Sequence, residues 1–191
     1  MGHMTTIRTE VTFVGPREGA GARRPVVVGV DGSQGSARAL DWALHEAVDR
    51  QTPLHIVTAW SWDATAAGSG SATAGLARQA RQTQEALVRA VLARFPGTLP
   101  ELTTELVQAD AATALIEQSA DSDLLVLGSR GLGGASEAMI GSVADTCLRH
   151  GTCPVVVVPA DATPDPGERQ PRSTSRRSGL APAALAAFGL L

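Results

Sequence analysis

Five short apolar runs punctuate residues 25–159, and the segments between them carry a helical period. No other feature limits the fold of this chain as strongly. The runs are VVVGV (26–30), LHIVTAW (54–60), LTTELVQA (102–109), DLLVLG (123–128) and PVVVVP (154–159). Each has strand length, and most are apolar at successive positions, so the sheet they form has to be covered on both faces. After the first run, Leu40, Leu44, Ala47 and Val48 share one helical face, with Ser36 as the expected N-cap. The stretch LARQARQTQEALVRAVLARF puts Leu76, Ala80, Leu87, Val91 and Phe95 on one buried stripe before Pro96-Gly97 ends it. Residues 111–120, introduced by Asp110, and SVADTCLRH (142–150) supply two shorter helices. The alternation predicts an α/β fold: a single doubly wound five-stranded parallel sheet of order 3-2-1-4-5, with helices on both faces. Its crossovers are right-handed, and its switch point falls between the first and fourth strands.

The flanks differ from this body. Residues 1–24 mix Thr, Gly, Pro and Arg without sustained period and are expected to be a flexible N-terminal segment; VTFV (11–14) is too short to assign as a strand. The opening MGHM, ahead of a second Met region, reads as a cloning remnant and takes no part in the fold reasoning. Residues 160–191 turn to Pro, Asp, Ser and Arg, a composition that buries too little apolar surface to offset ordering, and are expected to form a mobile C-terminal tail. One domain, 25–159, remains.

Composition excludes several functions. There is no Lys, so all 16 basic residues are Arg, which rules out a Walker-A lysine, a Schiff-base lysine and a lysine general base. A net charge of −3 and 3% aromatic residues give neither a basic field nor stacking platforms, so no nucleic-acid partner is expected. No run approaches the roughly 20 apolar residues of a membrane span. A soluble cytoplasmic protein is the expectation. Cys147 and Cys153 fit no zinc spacing and read as small hydrophobes in a reduced compartment. His3, His45, His55 and His150 are scattered, so no metal site is expected.

In the proposed strand order, two segments meet at the switch point, where open α/β sheets bind ligands. One is VDGSQGS (30–36); the other is GSRGLGGASEAMIGS (128–142), and each leads into a helix. Gly128 and Gly131 would let a ligand approach the backbone or permit positive φ. Gly141-Ser142 opens a helix whose N–H groups and dipole favour phosphate, and Ser142 adds a hydroxyl. Asp31, at the tip of the first strand, is an acceptor for ribose hydroxyls. Plainer readings stand beside these: a glycine-rich connection is often only a turn, and Asp-Gly is a common turn pair. Arg130 is either a solvated loop residue or a cover for phosphates.

The stretch obeys G-2x-G-9x-G-[S/T] at Gly128, Gly131, Gly141 and Ser142 and continues into GSVAD. With VVVGVDGS before it and CPVVVVP after it, the chain resembles the universal stress protein family, of the nucleotide-binding type, over about residues 25–159. The resemblance implies the fold derived above and binding of ATP, with AMP or another adenine nucleotide left open. Carried over position by position, Val30, Ala59 and Leu127 would line the adenine pocket and Asp31 would contact the ribose and the adenine side of the ligand. Gly128 and Gly131 would frame the sugar and phosphate path, and Gly141, Ser142 and Val143 would bind phosphates. It further implies a homodimer through the last strand, Val155–Val158; an unpaired VVVV edge is an aggregation hazard, so pairing has a physical reason. The chain departs from the family at Ala109-Asp110, where a glycine is common, and at Glu137.

These features favour a stress-response regulator that binds ATP and is read by an unidentified protein partner. Two alternatives remain open. One is a slow ATPase or other adenine-nucleotide hydrolase, with Mg²⁺ or Mn²⁺ held through the phosphates. The other is a nucleotide-free dimeric interaction module. With no paired carboxylates or evident general base, no catalytic residue is assigned.

Overall fold

The computed structural model of the protein describes residues 5–13, 23–61, 70–132 and 140–159. The six strands are β1 (Thr5–Phe13), β2 (Val26–Gly29), β3 (Leu54–Trp60), β4 (Leu102–Gln108), β5 (Leu124–Gly128) and β6 (Val155–Val158). They form one sheet of order β1-β4-β3-β2-β5-β6. Strands β2 to β6 are parallel to one another. They are the five-stranded sheet of order 3-2-1-4-5 that the apolar runs predict. Among the described residues four helices connect them: α1 (Gln34–Arg50), α2 (Gly70–Leu92), α3 (Ala111–Gln118) and α4 (Ser142–His150).

Successive strand residues point to opposite faces, so the unbroken apolar runs build two cores at once. Val26, Val28, Leu54, Ile56, Leu124 and Val126 meet Ala39, Leu40, Ala43, Leu44 and Ala47 of α1 and Val91 of α2 on one face. Val27, Val57, Val107, Leu125 and Leu127 meet Ala112 and Leu115 of α3 and Ala144 and Cys147 of α4 on the other. Burying each Val or Leu is worth about 1.5–3 kcal/mol.

Three local expectations need correcting. First, β1 pairs antiparallel with β4, from Thr5↔Gln108 to Thr9↔Thr104, with a register shift before Phe13↔Leu102. A paired edge strand thus stands within the segment expected to be flexible. The sequence TTIRTEVTF is rich in β-branched residues, and β4 would otherwise present an open edge. Second, the N-cap of α1 is Ser33 and not Ser36: the Ser33 hydroxyl accepts the Ser36 N–H at 3.1 Å. Ser36 is inside the helix and donates its hydroxyl to the Ser33 carbonyl. Third, the buried stripe of α2 begins later than Leu76, which is 40% exposed. Val91 of the expected stripe is buried, and so is Gln84, whose side-chain amide donates to the Glu105 carbonyl at 3.0 Å. Val48 of α1 is also partly outside the core.

Asp110 caps α3 as expected, accepting the Thr113 N–H at 3.2 Å. Both cysteines are free thiols, Cys147 fully buried and Cys153 half-buried. Burial, aided by the nearby Asp110 charge and by Cys153, pushes the Cys147 thiol up to about 11 from 9.0. Its thiolate population at pH 8 is thereby lowered about a hundredfold. Iodoacetamide at pH 8 is therefore expected to modify Cys153 in the native protein and to reach Cys147 only in urea. Peptide mapping that found equal labelling of both without denaturant would contradict this packing. Among the described residues no helix is long and apolar enough to cross a membrane. The tail, residues 160–191, and Glu137 lie outside the described residues.

Candidate functional site

The strand order reverses at β2 and β5, and the chain leaves the two strands there in opposite directions. This opens a crevice beyond their carboxyl ends. Past β2, Val30 is fixed by two bonds to β3: its N–H donates to the Val57 carbonyl at 2.9 Å, and its own carbonyl accepts the Thr58 hydroxyl at 3.0 Å. The backbone then turns through Gly32, at φ 90°, a conformation that disfavours any side chain. Asp31 closes this turn, its Oδ1 accepting the Ser33 N–H at 2.9 Å.

Past β5, Ser129 donates its N–H to the Val158 carbonyl at 2.8 Å. The Leu132 N–H donates to Asp31 Oδ2 at 3.0 Å, and the Gly141 N–H returns to the Ser129 carbonyl at 2.8 Å. The excursion from 129 to 141 is therefore closed at its base. Gly141 is the N-cap of α4 and offers no side-chain cap. The first intrahelical bond runs from the Asp145 N–H to the Gly141 carbonyl, so the preceding N–H groups of the first turn have no partner in the helix. They carry the positive end of the helix dipole.

Between the loops lies a cavity of about 380 Å³, within the range of small-molecule sites. All ten residues singled out from the sequence line it: Val30, Asp31, Ala59, Leu127, Gly128, Arg130, Gly131, Gly141, Ser142 and Val143. Sequence reasoning did not assign Gly29, Ser36, Val57, Ala111, Leu115, Ser129, Leu132 and Ala144, which also line it. The period-2 rule on β3 could have supplied Val57, two residues before Ala59. Ala111 and Leu115 stand one helical turn apart on α3, so the wall next to Ala109-Asp110 is made by this helix.

One of the two reasons expected for Gly128 and Gly131 does not apply, and a steric one is added. Neither Gly128 nor Gly131 has positive φ; Gly32 alone does among the described glycines. A Cβ on Gly128 would lie 2.7 Å from the Gly35 carbonyl carbon and 2.9 Å from its oxygen. A Cβ on Gly131 would strike the Asp31 carboxylate. Both positions are small so that the two loops can touch one another.

Among the described residues, Asp31 and Arg130 are the charged side chains of the cavity wall. Burial acts to raise the Asp31 carboxyl, but hydrogen bonds from Ser33, Ser36 and the Leu132 N–H outweigh it and hold the group below its ordinary value. One end of the cavity is thus apolar, floored by Val57, Ala59, Leu115 and Leu127, and the other carries unpaired helix N–H groups. Among the described residues no cluster of His, Cys, Asp or Glu could hold a metal ion.

The model of the universal stress protein family matches residues 22–159. Universal stress protein Rv3134c of Mycobacterium tuberculosis is 34% identical over 158 residues, which cover 82% of this chain and 54% of that protein. Universal stress protein Rv2623 of the same organism is 32% identical over 133 residues, 70% of this chain and 44% of that protein. The chain thus spans about half the length of the curated relatives it matches. Among solved structures, the universal stress protein UspA from Lactobacillus plantarum superposes with a TM-score of 0.57 at 21% identity, over 72% of this chain and 99% of that one. A universal stress protein from Archaeoglobus fulgidus gives 0.54 at 23% identity, over 70% and 97%. Both structural likenesses concern the fold.

Proposed function

The chain belongs to the universal stress protein family, and from that premise we propose that it binds an adenine nucleotide, ATP in the first instance, and acts as a homodimeric stress-response regulator. The observation that carries this reading is the union, in one cavity, of an apolar floor and an uncapped helix N-terminus. A flat apolar base joined through a sugar to anionic phosphates has the same polarity from end to end. In this reading the base lies against Val57, Ala59, Leu115 and Leu127, and the sugar lies beside Asp31, between Gly128 and Gly131. The phosphates meet the N–H groups of Ser142 and Val143 and the Ser142 hydroxyl, with Arg130 at the rim.

A divalent cation, Mg²⁺ or Mn²⁺, would be held through the phosphates and supply charge neutralisation there. Among its described residues the wall offers it only the Asp31 carboxylate, each of whose oxygens already accepts a backbone N–H. Among the described residues the lining contains no histidine and no second carboxylate, which favours binding and signalling over rapid hydrolysis. The sheet ends at β6, and Val155, Val156 and Val157 are only half-buried there. Pairing of that edge with a second copy would continue the sheet and cover them.

Calorimetry of the whole chain with ATP and Mg²⁺ at millimolar nucleotide is expected to give one saturable site per chain. Sedimentation of the same sample is expected to report a dimer. An absence of heat together with an unmoved melting temperature would sink the nucleotide reading; a monomer would sink the edge pairing.

A further inference from the structure

One side chain joins the two loops that frame the cavity. Asp31 Oδ1 accepts the Ser33 N–H at 2.9 Å, and its Oδ2 accepts the Leu132 N–H at 3.0 Å, across 101 residues of sequence. Each oxygen of the carboxylate therefore already holds a backbone donor. The Leu132 bond spans from the β5 loop to the β2 loop, so it is a tertiary tie and not a turn. The neighbourhood is closely packed as well: a Cβ at Gly131 would strike Asp31 Oδ2, and one at Gly35 would strike the Arg130 carbonyl. The donors outweigh burial and keep the carboxyl ionised at neutral pH, which makes both bonds charge-assisted. An asparagine cannot replace it, because one of its two terminal groups is a donor and would face another donor.

We infer that Asp31 is a positioning residue, whose carboxylate staples residues 129–132 to the start of α1 and so acts on a bound nucleotide through the loop it holds, more than by touching the sugar. The ligand half of this inference rests on the nucleotide reading; the staple is a property of the ligand-free protein. Without the carboxylate, the backbone at Leu132 loses this tie to the β2 loop. The approach to the α4 N-terminus then loses its fixed shape, while the apolar floor is untouched.

The inference separates from a direct sugar contact by experiment. In Asp31→Asn, amide exchange at Leu132 in the ligand-free protein is expected to speed up about tenfold, in a chain that otherwise remains folded. Affinities for ATP and for 2′,3′-dideoxy-ATP are expected to fall by the same factor, about tenfold. The unsubstituted protein is expected to bind the two nucleotides within about threefold of each other. Unchanged Leu132 exchange, or a loss confined to ATP, overturns the inference. Should Asp31→Asn fail to fold, the unsubstituted protein still decides: a preference for ATP over the dideoxy analogue of about tenfold or more marks a sugar contact and overturns it. Should the unsubstituted protein bind neither nucleotide, the nucleotide reading fails and the exchange measurement alone judges the staple.

Discussion

Replacing Gly141 by aspartate is expected to weaken nucleotide binding roughly a hundredfold while leaving the fold as stable as before, or slightly more so. Gly141 sits at φ −64° and ψ 153°, extended backbone that any residue adopts. The nearest atom to a Cβ there is the Ser129 carbonyl oxygen, at 3.4 Å, in ordinary contact. Nothing among the described residues therefore demands glycine. Because α4 has no side-chain cap, an aspartate would supply the missing acceptor and place a negative charge at the positive end of the helix. That is worth a few tenths to about 1 kcal/mol of added stability. The same carboxylate takes the N–H groups that the phosphates would use and repels the phosphates. Losing two charge-assisted hydrogen bonds at about 1.5 kcal/mol each weakens binding roughly a hundredfold. Thermal melts and nucleotide titration of one preparation give both halves of the result. Affinity unchanged in a well-folded Gly141→Asp would mean that the phosphates do not reach α4.

How much of this was legible in the sequence depends on how local each signal is. The parallel sheet follows from runs such as VVVGV and DLLVLG, because a strand apolar on both faces has few places to go. The ten candidate residues follow from motif spacing, and all of them reach one cavity. What was missed is non-local or competes with a similar local signal. Ser33 and Ser36 are both plausible caps, and only the turn at Gly32 decides that α1 starts at Gln34. β1 is short of apolar residues on its own and is read as a strand only once the open edge of β4 is known. Leu76 has the right period for the stripe of α2, but burial needs something facing it as well as the right angle. The Asp31–Leu132 bond joins positions 101 residues apart, and no window of sequence contains it.

Glycine content alone also hides which glycines the fold requires, and Gly128→Val is the variant expected to expose this. Its Cβ would stand 2.7 Å from the Gly35 carbonyl carbon, 2.9 Å from that oxygen and 3.1 Å from the Ser36 nitrogen. These are backbone atoms of the first turn of α1, held in place by the Ser33 cap and the Ser36 hydroxyl. The other side cannot give either, since Gly128 is paired with Val158 and the Ser129 N–H is bonded to the Val158 carbonyl. A valine would have to lift α1 from β5 and uncover Ala39 and Leu40, both fully buried. The expected cost is about 3–5 kcal/mol, set against a total stability of about 5–15 kcal/mol. For a body of this size that corresponds to a melting temperature lower by roughly 10–15 °C. Gly75 provides the contrast: it lies within α2 with nothing inside 4 Å of a Cβ, so Gly75→Ala is expected to stabilise by up to about 1 kcal/mol. Urea melts of the two variants should therefore move in opposite directions from the parent. A Gly128→Val midpoint equal to the parent's would show that β5 and α1 do not need to approach this closely, and the requirement for glycine at 128 would have to come from the ligand after all.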